Sequence, residues 1–448
     1  MPMIKRPLIL SIIYIFLSCA TEYNRKDIIK NSERYLTESK FERAYTEFQS
    51  GVEYHFGDIE LHREFIRFIS KVHRCEDARR FYENKKKKYE HIYYYAMGLL
   101  GVVCTDGKRD EVMRNFERAI QYSPDNYEIR LRYGSILTEY ELYDEAFKQF
   151  EALYKNGQKT PSLLSYMALV SVHLGRFDNG RGYVREMMDM DFSEADLTRA
   201  RAAIDIINAS CLSVPEEIGD SFKKVLDMIL VEDRPVQARE TVESLLLKYP
   251  DIPSLHLVKS MALSLTGEFS SGLYELTLAG DVYSGCAYFQ YTGGIIYLGV
   301  QKDEKGIGML ERAIELNPLM VNAYRILSEL YISKRENTKA IKCLNYYLKL
   351  NRGDYKNRFI YGRLLLQERR FEDALRQFES ILNADPENSL GMVGMGIWHA
   401  EMARNSKERS QRENHLKKSI EYLNDAIKRD PENETIKSII RSLNVKED

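Results

Sequence analysis

The chain has 448 residues, of which 44% are hydrophobic and 29% charged, and its formal net charge is −2 at pH 7. This length and composition are typical of a folded protein with a sizeable core and exclude a disordered chain. A nearly neutral charge with both signs interspersed gives no electrostatic basis for binding nucleic acid.

The N-terminus has the pattern of a secretory signal peptide. Lys5 and Arg6 precede the apolar run Leu8–Leu17. A positive start, a short apolar stretch and a small residue before a cleavage site predict that residues 1–19 are a signal peptide. The run is shorter than the roughly 20 apolar residues that span a bilayer. A short uncleaved anchor is the alternative.

The end of this segment, Phe16-Leu17-Ser18-Cys19, resembles the lipobox of bacterial lipoproteins, in which the cysteine is acylated and becomes the new N-terminus. Leucine is usual three residues before that cysteine, where this chain has Phe16. The resemblance implies that Cys19 is lipidated and that the chain is exported and anchored to a bacterial membrane, facing the periplasm or the surface. Ala20 after the cysteine, in place of an acidic residue, favours the outer membrane.

Five further cysteines occur singly at irregular spacing: Cys75, Cys104, Cys211, Cys286 and Cys343. An odd number without a CxxC pair argues against a disulfide framework and against a zinc site. We expect these cysteines to be small buried apolar side chains.

From residue 25 onward the sequence repeats with a period of 34 residues. Repeats begin at Arg25, Ile59, Tyr93, Tyr127 and Pro161, and again at Gly219, Pro253, Ala287, Val321, Tyr355 and Ser389. Position 20 of each repeat carries a small residue, except for Val112. Position 24 carries a large apolar residue, such as Phe150 or Phe378.

This pattern resembles the tetratricopeptide repeat family over residues 25 to about 433. The resemblance implies an all-α fold, a right-handed superhelical solenoid of about eleven antiparallel helix pairs, A then B. Small residues at positions 8 and 20 let the two helices approach, and large residues at position 24 fill the seam to the next pair. Gly107, Gly175 and Gly267 fall in A–B turns, where a left-handed cap is favoured.

Breaks in the register divide the chain into a first array of five repeats at 25–194, an irregular joint helix at 195–218, a second array of six repeats at 219–433 and a C-terminal cap helix at 434–448. Ser193 is the predicted N-cap of the joint helix. The last repeat contains the additional charged stretch Ala403–Lys418, which we expect to lengthen its two helices into a projecting hairpin.

No pattern typical of an enzyme occurs: the sequence contains no Walker A motif, GxSxG or HExxH. We therefore expect no catalytic residue, cofactor or metal.

In tetratricopeptide arrays, helix A lines the concave face. In the second array the groove positions are apolar or aromatic with two arginines, at Leu257, Met261, Tyr288, Tyr291, Ile295, Asn322, Arg325, Phe359 and Arg363. Apolar residues without packing partners indicate that something covers them, so these residues form a predicted partner-binding groove. The alternative is that they pack against one another in a tightly wound superhelix.

These features predict a membrane-tethered protein–protein interaction scaffold of a bacterial cell envelope, one that assists assembly of an envelope complex by analogy with lipoproteins of similar architecture. The alternative is a peptide or ligand receptor that holds an extended segment in the groove. Expected partners are other envelope proteins or peptides and, through the lipid anchor, the membrane, but no nucleic acid.

Overall fold

The computed structural model describes residues 24–104, 108–434, 437–438 and 441. The predicted signal peptide with Cys19, the turn residue Gly107 and most of the predicted cap helix lie outside the described residues. The chain divides into two compact units, an N-terminal unit that ends at Gly175 and a C-terminal unit that begins at Arg176.

The described part of the N-terminal unit contains nine helices: α1 (Arg25–Thr37), α2 (Phe41–Tyr54), α3 (Ile59–Val72), α4 (Cys75–Glu83), α5 (Glu90–Val103), α6 (Arg109–Tyr122), α7 (Tyr127–Glu139), α8 (Tyr143–Lys155) and α9 (Pro161–His173). Each odd-numbered helix through α9 is a helix A, and each even-numbered helix is the helix B that follows it.

The described part of the C-terminal unit contains α10 (Phe177–Met188), α11 (Glu194–Cys211), α12 (Gly219–Leu230), α13 (Pro235–Leu246), α14 (Pro253–Leu265), α15 (Phe269–Ala279), α16 (Ala287–Gly299), α17 (Asp303–Leu316), α18 (Val321–Ser333), α19 (Asn337–Leu350), α20 (Tyr355–Gln367), α21 (Phe371–Ala384), α22 (Ser389–Asn405) and α23 (Arg409–Arg429). Short 3-10 turns at Glu216–Ile218 and Asp281–Tyr283 precede α12 and α16.

The helices confirm the predicted repeat register. Helix A begins at the predicted first residue in ten of the eleven repeats. The exception is α5, which begins at Glu90 rather than Tyr93. Several helices A begin after a polar N-cap whose side chain accepts from a backbone N–H, as Asn126 does from Ile129 at 3.1 Å. The described residues thus form tetratricopeptide-type helix pairs.

The small and large positions of the repeat pack as predicted. Ala146 and Ala374 at position 20 and Phe150 and Phe378 at position 24 are all fully buried. At position 8, a Cβ on Gly294 would lie 2.7 Å from Leu310 Cγ, closer than carbon atoms approach in proteins. Small side chains are therefore required where helix B crosses helix A.

The backbone of the A–B turn repeats with the same period. Position 15 has φ between 54° and 83° at Ser39, His73, Glu141, Gly175, Asp233, Gly267, Gln301, Arg335 and Arg369. A left-handed residue after the last turn of helix A lets the backbone N–H groups cap its final carbonyls. Glycine relieves the steric cost of this conformation at two of these positions, and the other seven residues adopt it without glycine.

The irregular parts of the sequence also form helices. Ser193 caps α11 as predicted and forms a reciprocal capping box with Asp196. The predicted joint at 195–218 lies inside the C-terminal unit, because the division between units falls between α9 and α10. In the last repeat α22 and α23 extend to 17 and 21 residues. None of the described helices is both long and apolar enough to cross a membrane.

Candidate functional site

The structure separates the nine predicted groove residues into two groups. Leu257, Met261 and Phe359 are at most 4% exposed and belong to the apolar cores of the C-terminal unit. The other six keep part of their surface accessible, and we call them the groove strip: Tyr288, Tyr291, Ile295, Asn322, Arg325 and Arg363. The strip lies on α16, α18 and α20, the helices A of three successive repeats.

Side chains from two of these repeats meet at Tyr291. Burial raises the pKa of the Tyr291 hydroxyl, while the nearby Arg325 guanidinium and a hydrogen bond with Asn322 act in the opposite direction. Arg325 also forms an ion pair with Glu329 at 2.8 Å, one turn along α18. The phenol therefore remains neutral at physiological pH and presents a polar edge beside an arginine.

One end of the groove strip faces α11. Burial raises the pKa of Tyr288, and the carboxylate of Asp205 on α11 raises it further. Burial also raises the pKa of Asp205 itself, against the effect of Arg201. The repeat pattern did not identify Asp205, because α11 lies outside the 34-residue register. This places a carboxylate beside the aromatic part of the strip.

The cysteines correct the sequence-based expectation of unpaired thiols. Disulfides join Cys75 to Cys104 and Cys211 to Cys286, and only Cys343 is free and buried among the described cysteines. In the first pair, the start of α4 lies beside the end of α5, with the Cα atoms 6.2 Å apart. Consecutive antiparallel helices bring these ends together although 29 residues separate them in sequence.

The second disulfide ties α11 to the groove strip. Cys211 is the last residue of α11, and Cys286 immediately precedes α16. The covalent bond therefore fixes the end of α11 at the start of the helix that carries Tyr288 and Tyr291. Spacing alone gave no indication of this pairing, since 75 residues separate the two cysteines.

Residues 185–192, at the end of α10 and in the turn before α11, contact helices far along the chain, and we call them the return segment. Four of its hydrogen bonds, 2.7 to 3.1 Å long, involve backbone carbonyls: Arg185 donates to Glu315, Lys349 to Met188 and Met190, and Arg352 to Phe192. Tyr346 also donates to the Asp189 carboxylate. These bonds span 130 to 161 residues, and those to carbonyls satisfy acceptors at helix ends and in the turn before α11.

The last repeat contains a histidine pair. Nδ1 of His399 on α22 lies 2.9 Å from Nδ1 of His415 on α23, and His399 is buried against Trp398. Burial and the neighbouring imidazole lower the pKa of His399. Within the described residues, no group of three or more His, Cys, Asp or Glu side chains could hold a metal ion.

Neither a protein-family model nor a curated protein matches this sequence. Among solved structures, YrrB, described as a TPR protein with an unusual peptide-binding site, has a TM-score of 0.38 at 19% identity over 45% of this chain and 99% of its own.

The MamA protein has a TM-score of 0.33 at 13% identity, over 42% of this chain and 96% of its own. A chain of the APC/C hetero-tetramer Cut9–Hcn1 also has a TM-score of 0.33, at 11% identity, over 97% of this chain and 94% of the compared chain. The assignment of the tetratricopeptide fold rests on the chain's own register of helix pairs.

Proposed function

We propose that the chain is an exported, lipid-anchored scaffold that binds other proteins of a bacterial cell envelope through the groove strip and assists assembly of an envelope complex. The observation that carries this proposal is the strip itself. Partly exposed tyrosines and arginines lie together on three successive helices A. Large aromatic residues and arginine dominate the energetics of protein-binding surfaces.

Two features support export. The N-terminal segment has the sequence pattern of a lipoprotein signal, and four of the described cysteines form disulfides. Structural disulfides persist in oxidising compartments such as the bacterial periplasm and are rare in the cytosol. The Cys19→Ala variant should lose labelling by a radioactive fatty acid and either leave the membrane fraction or accumulate as the uncleaved precursor. Retention in membranes with unchanged mass would contradict lipidation.

The groove strip is tested by the double variant Tyr291→Ala with Arg325→Ala. Each truncation should cost about 2 kcal/mol of binding, or roughly 30-fold in Kd. Helix content and melting should change little, because both side chains are only partly buried. The matched control is Tyr274→Ala with Arg312→Ala, an exposed tyrosine and arginine on helices B.

A photo-crosslinking amino acid in place of the exposed Asn322 identifies what contacts the strip in the native envelope. Crosslinks to defined envelope proteins that disappear in the double variant and persist in the control would support the proposal. Unchanged crosslinks in a folded double variant would place the binding surface elsewhere. Crosslinks that all map to one extended segment of a single partner would instead favour the peptide-receptor function.

A further inference from the structure

A cavity of 430 Å³ lies between the return segment and three helices of the C-terminal unit. Asp191 and Phe192 line one side, and residues of α19, α20 and α21 line the other. The cavity contains no residue of the groove strip. It exists only because the return segment packs on these helices, so the repeat pattern does not predict it.

Three cations line this cavity: Lys349, Arg352 and Arg358. Every hydrogen bond that they donate ends on a neutral acceptor. Lys349 and Arg352 donate to carbonyls of the return segment. Arg358 donates to the Gln377 side chain and to the Arg352 carbonyl, both at 3.1 Å. Among the described residues, none of the three forms an ion pair.

The charge of the cavity is therefore unbalanced. Three cations face one lining carboxylate, Asp191, which leaves a formal charge of +2. Burial lowers the pKa of both Lys349 and Arg358, and the positive charge of Arg352 lowers that of Arg358 further. Asp191 and Asp189 act on the pKa of Lys349, and Asp354 on that of Arg358, in the opposite direction without forming an ion pair. Partly desolvated cations that form no ion pair are costly, and an anion that enters the cavity reduces that cost.

We propose that this cavity binds a small oxyanion of the phosphate class, either as inorganic phosphate or as a phosphate monoester. Arginine presents a planar fork of donors that matches phosphate oxygens, and lysine adds a point charge. Tyr361 and Ser380 add hydroxyl groups to the lining. The volume falls within the roughly 300–1,000 Å³ of small-molecule sites, so it admits a phosphate with a small substituent.

The test is isothermal titration of the purified full-length chain with sodium phosphate, with glycerol 3-phosphate and with sodium acetate, at ionic strength matched with sodium chloride. We expect saturable binding of one phosphate per chain and an affinity loss of about tenfold or more in Arg358→Gln. Phosphate should also raise the melting temperature of the wild type but not that of this variant. The control is Lys356→Gln, an exposed cation on the same helix outside the cavity.

The variants separate loss of binding from loss of folding. If Arg358→Gln does not fold, Arg352→Gln takes its place as the test, because it removes a more exposed cation, and it should weaken binding. Arg358→Lys should retain part of the affinity. Tighter binding of glycerol 3-phosphate than of phosphate identifies a monoester as the ligand. Three results would each overturn the proposal: no saturable binding, unchanged binding in both Arg352→Gln and Arg358→Gln, or acetate binding equal to that of phosphate.

Discussion

The two units use the same repeat but are stabilised by different sets of contacts. In the N-terminal unit, an aromatic cluster links neighbouring helices, with Phe48, Phe65 and Phe81 in successive ring contacts. In the C-terminal unit, the return segment adds hydrogen bonds across 130 to 161 residues of sequence. The first arrangement is that of a linear repeat array, in which repeats contact their neighbours, with the Arg63–Glu128 ion pair at 3.4 Å reaching one repeat further.

The difference shows what a break in the register can do. The return segment ends the last repeat before the break, and the joint helix at 195–218 replaces the next repeat; both contact distant repeats. A repeat array whose contacts reach only one or two repeats along the chain unfolds in local steps, whereas a contact across many repeats couples its distant parts. We therefore expect the C-terminal unit to respond more cooperatively to a local defect than the N-terminal unit.

The largest expected effect comes from Phe116→Ala in the N-terminal unit and Phe378→Ala in the C-terminal unit. Both rings occupy position 24 and are fully buried, so each truncation should cost about 3–5 kcal/mol of stability. Phe41→Ala, at a 52% exposed ring, is the control. Hydrogen exchange should lose protection only in flanking helices for Phe116→Ala, but also in the return segment for Phe378→Ala. Equal spread in both units would contradict the comparison.

Removal of the disulfides should come next. In the chain-entropy model a longer closed loop stabilises more, so loss of Cys211–Cys286, which closes 75 residues, should exceed loss of Cys75–Cys104, which closes 29. Replacing both cysteines of either bond by serine should lower the free energy of unfolding, measured in urea, by about 2–4 kcal/mol. A reductant should destabilise the wild type but not the variant that lacks both bonds. A larger loss of stability from removing Cys75–Cys104 than from removing Cys211–Cys286 would show that the length of the closed loop does not govern the effect of each bond.

Loss of one return contact should cost less. Lys349→Met leaves the Met188 and Met190 carbonyls without this donor, which should cost about 1–3 kcal/mol. Lys342→Met, at an exposed lysine of α19, is the matched control. Hydrogen exchange at the backbone amides of residues 185–192 should accelerate in Lys349→Met alone. Unchanged exchange there would mean that the segment is held by apolar packing.

The last expected effect, comparable in size to the loss of one return contact, is a pH dependence in the N-terminal unit. His62 is fully buried, with Nδ1 2.8 Å from the Tyr82 hydroxyl and Nε2 2.9 Å from the Phe56 carbonyl. Burial lowers the pKa of His62 from 6.5 to about 4, so the imidazole is neutral in the folded state. The contribution of His62 to the free energy of unfolding is fully present above the pKa of the unfolded state and is lost as the pH falls toward the pKa of the folded state.

Lowering the pH from about 7.5 to about 5 should therefore cost about 2 kcal/mol at this residue, because the unfolded chain binds a proton that the folded chain excludes. Urea titrations at a series of pH values measure this slope. It should flatten in His62→Gln and persist in His73→Asn, which changes an exposed histidine. A slope that is equally steep in both variants would assign the effect to other groups.

Much of the fold could be predicted from the sequence, because its determinants are local and periodic. The small residue at position 20 and the large one at position 24 recur on the same helix faces, and polar caps such as Ser193 mark where helices begin. The charged stretch Ala403–Lys418 likewise predicted the longer final helices, because an insertion into one repeat is a local feature of the sequence. The left-handed turn was predictable only where glycine occupies it, since a serine or an arginine there carries no such signal.

Only the tertiary structure decided which groove residues are accessible, which cysteines pair and where residues 185–192 bind. Leu257 and Tyr291 occupy equivalent faces of helix A in the repeat pattern, yet neighbouring helices bury one and leave part of the other exposed. Cys211 and Cys286, like Lys349 and Met188, are remote in sequence and adjacent in space. Periodicity specifies the faces of a helix, but distances between remote residues depend on how all the intervening helices pack.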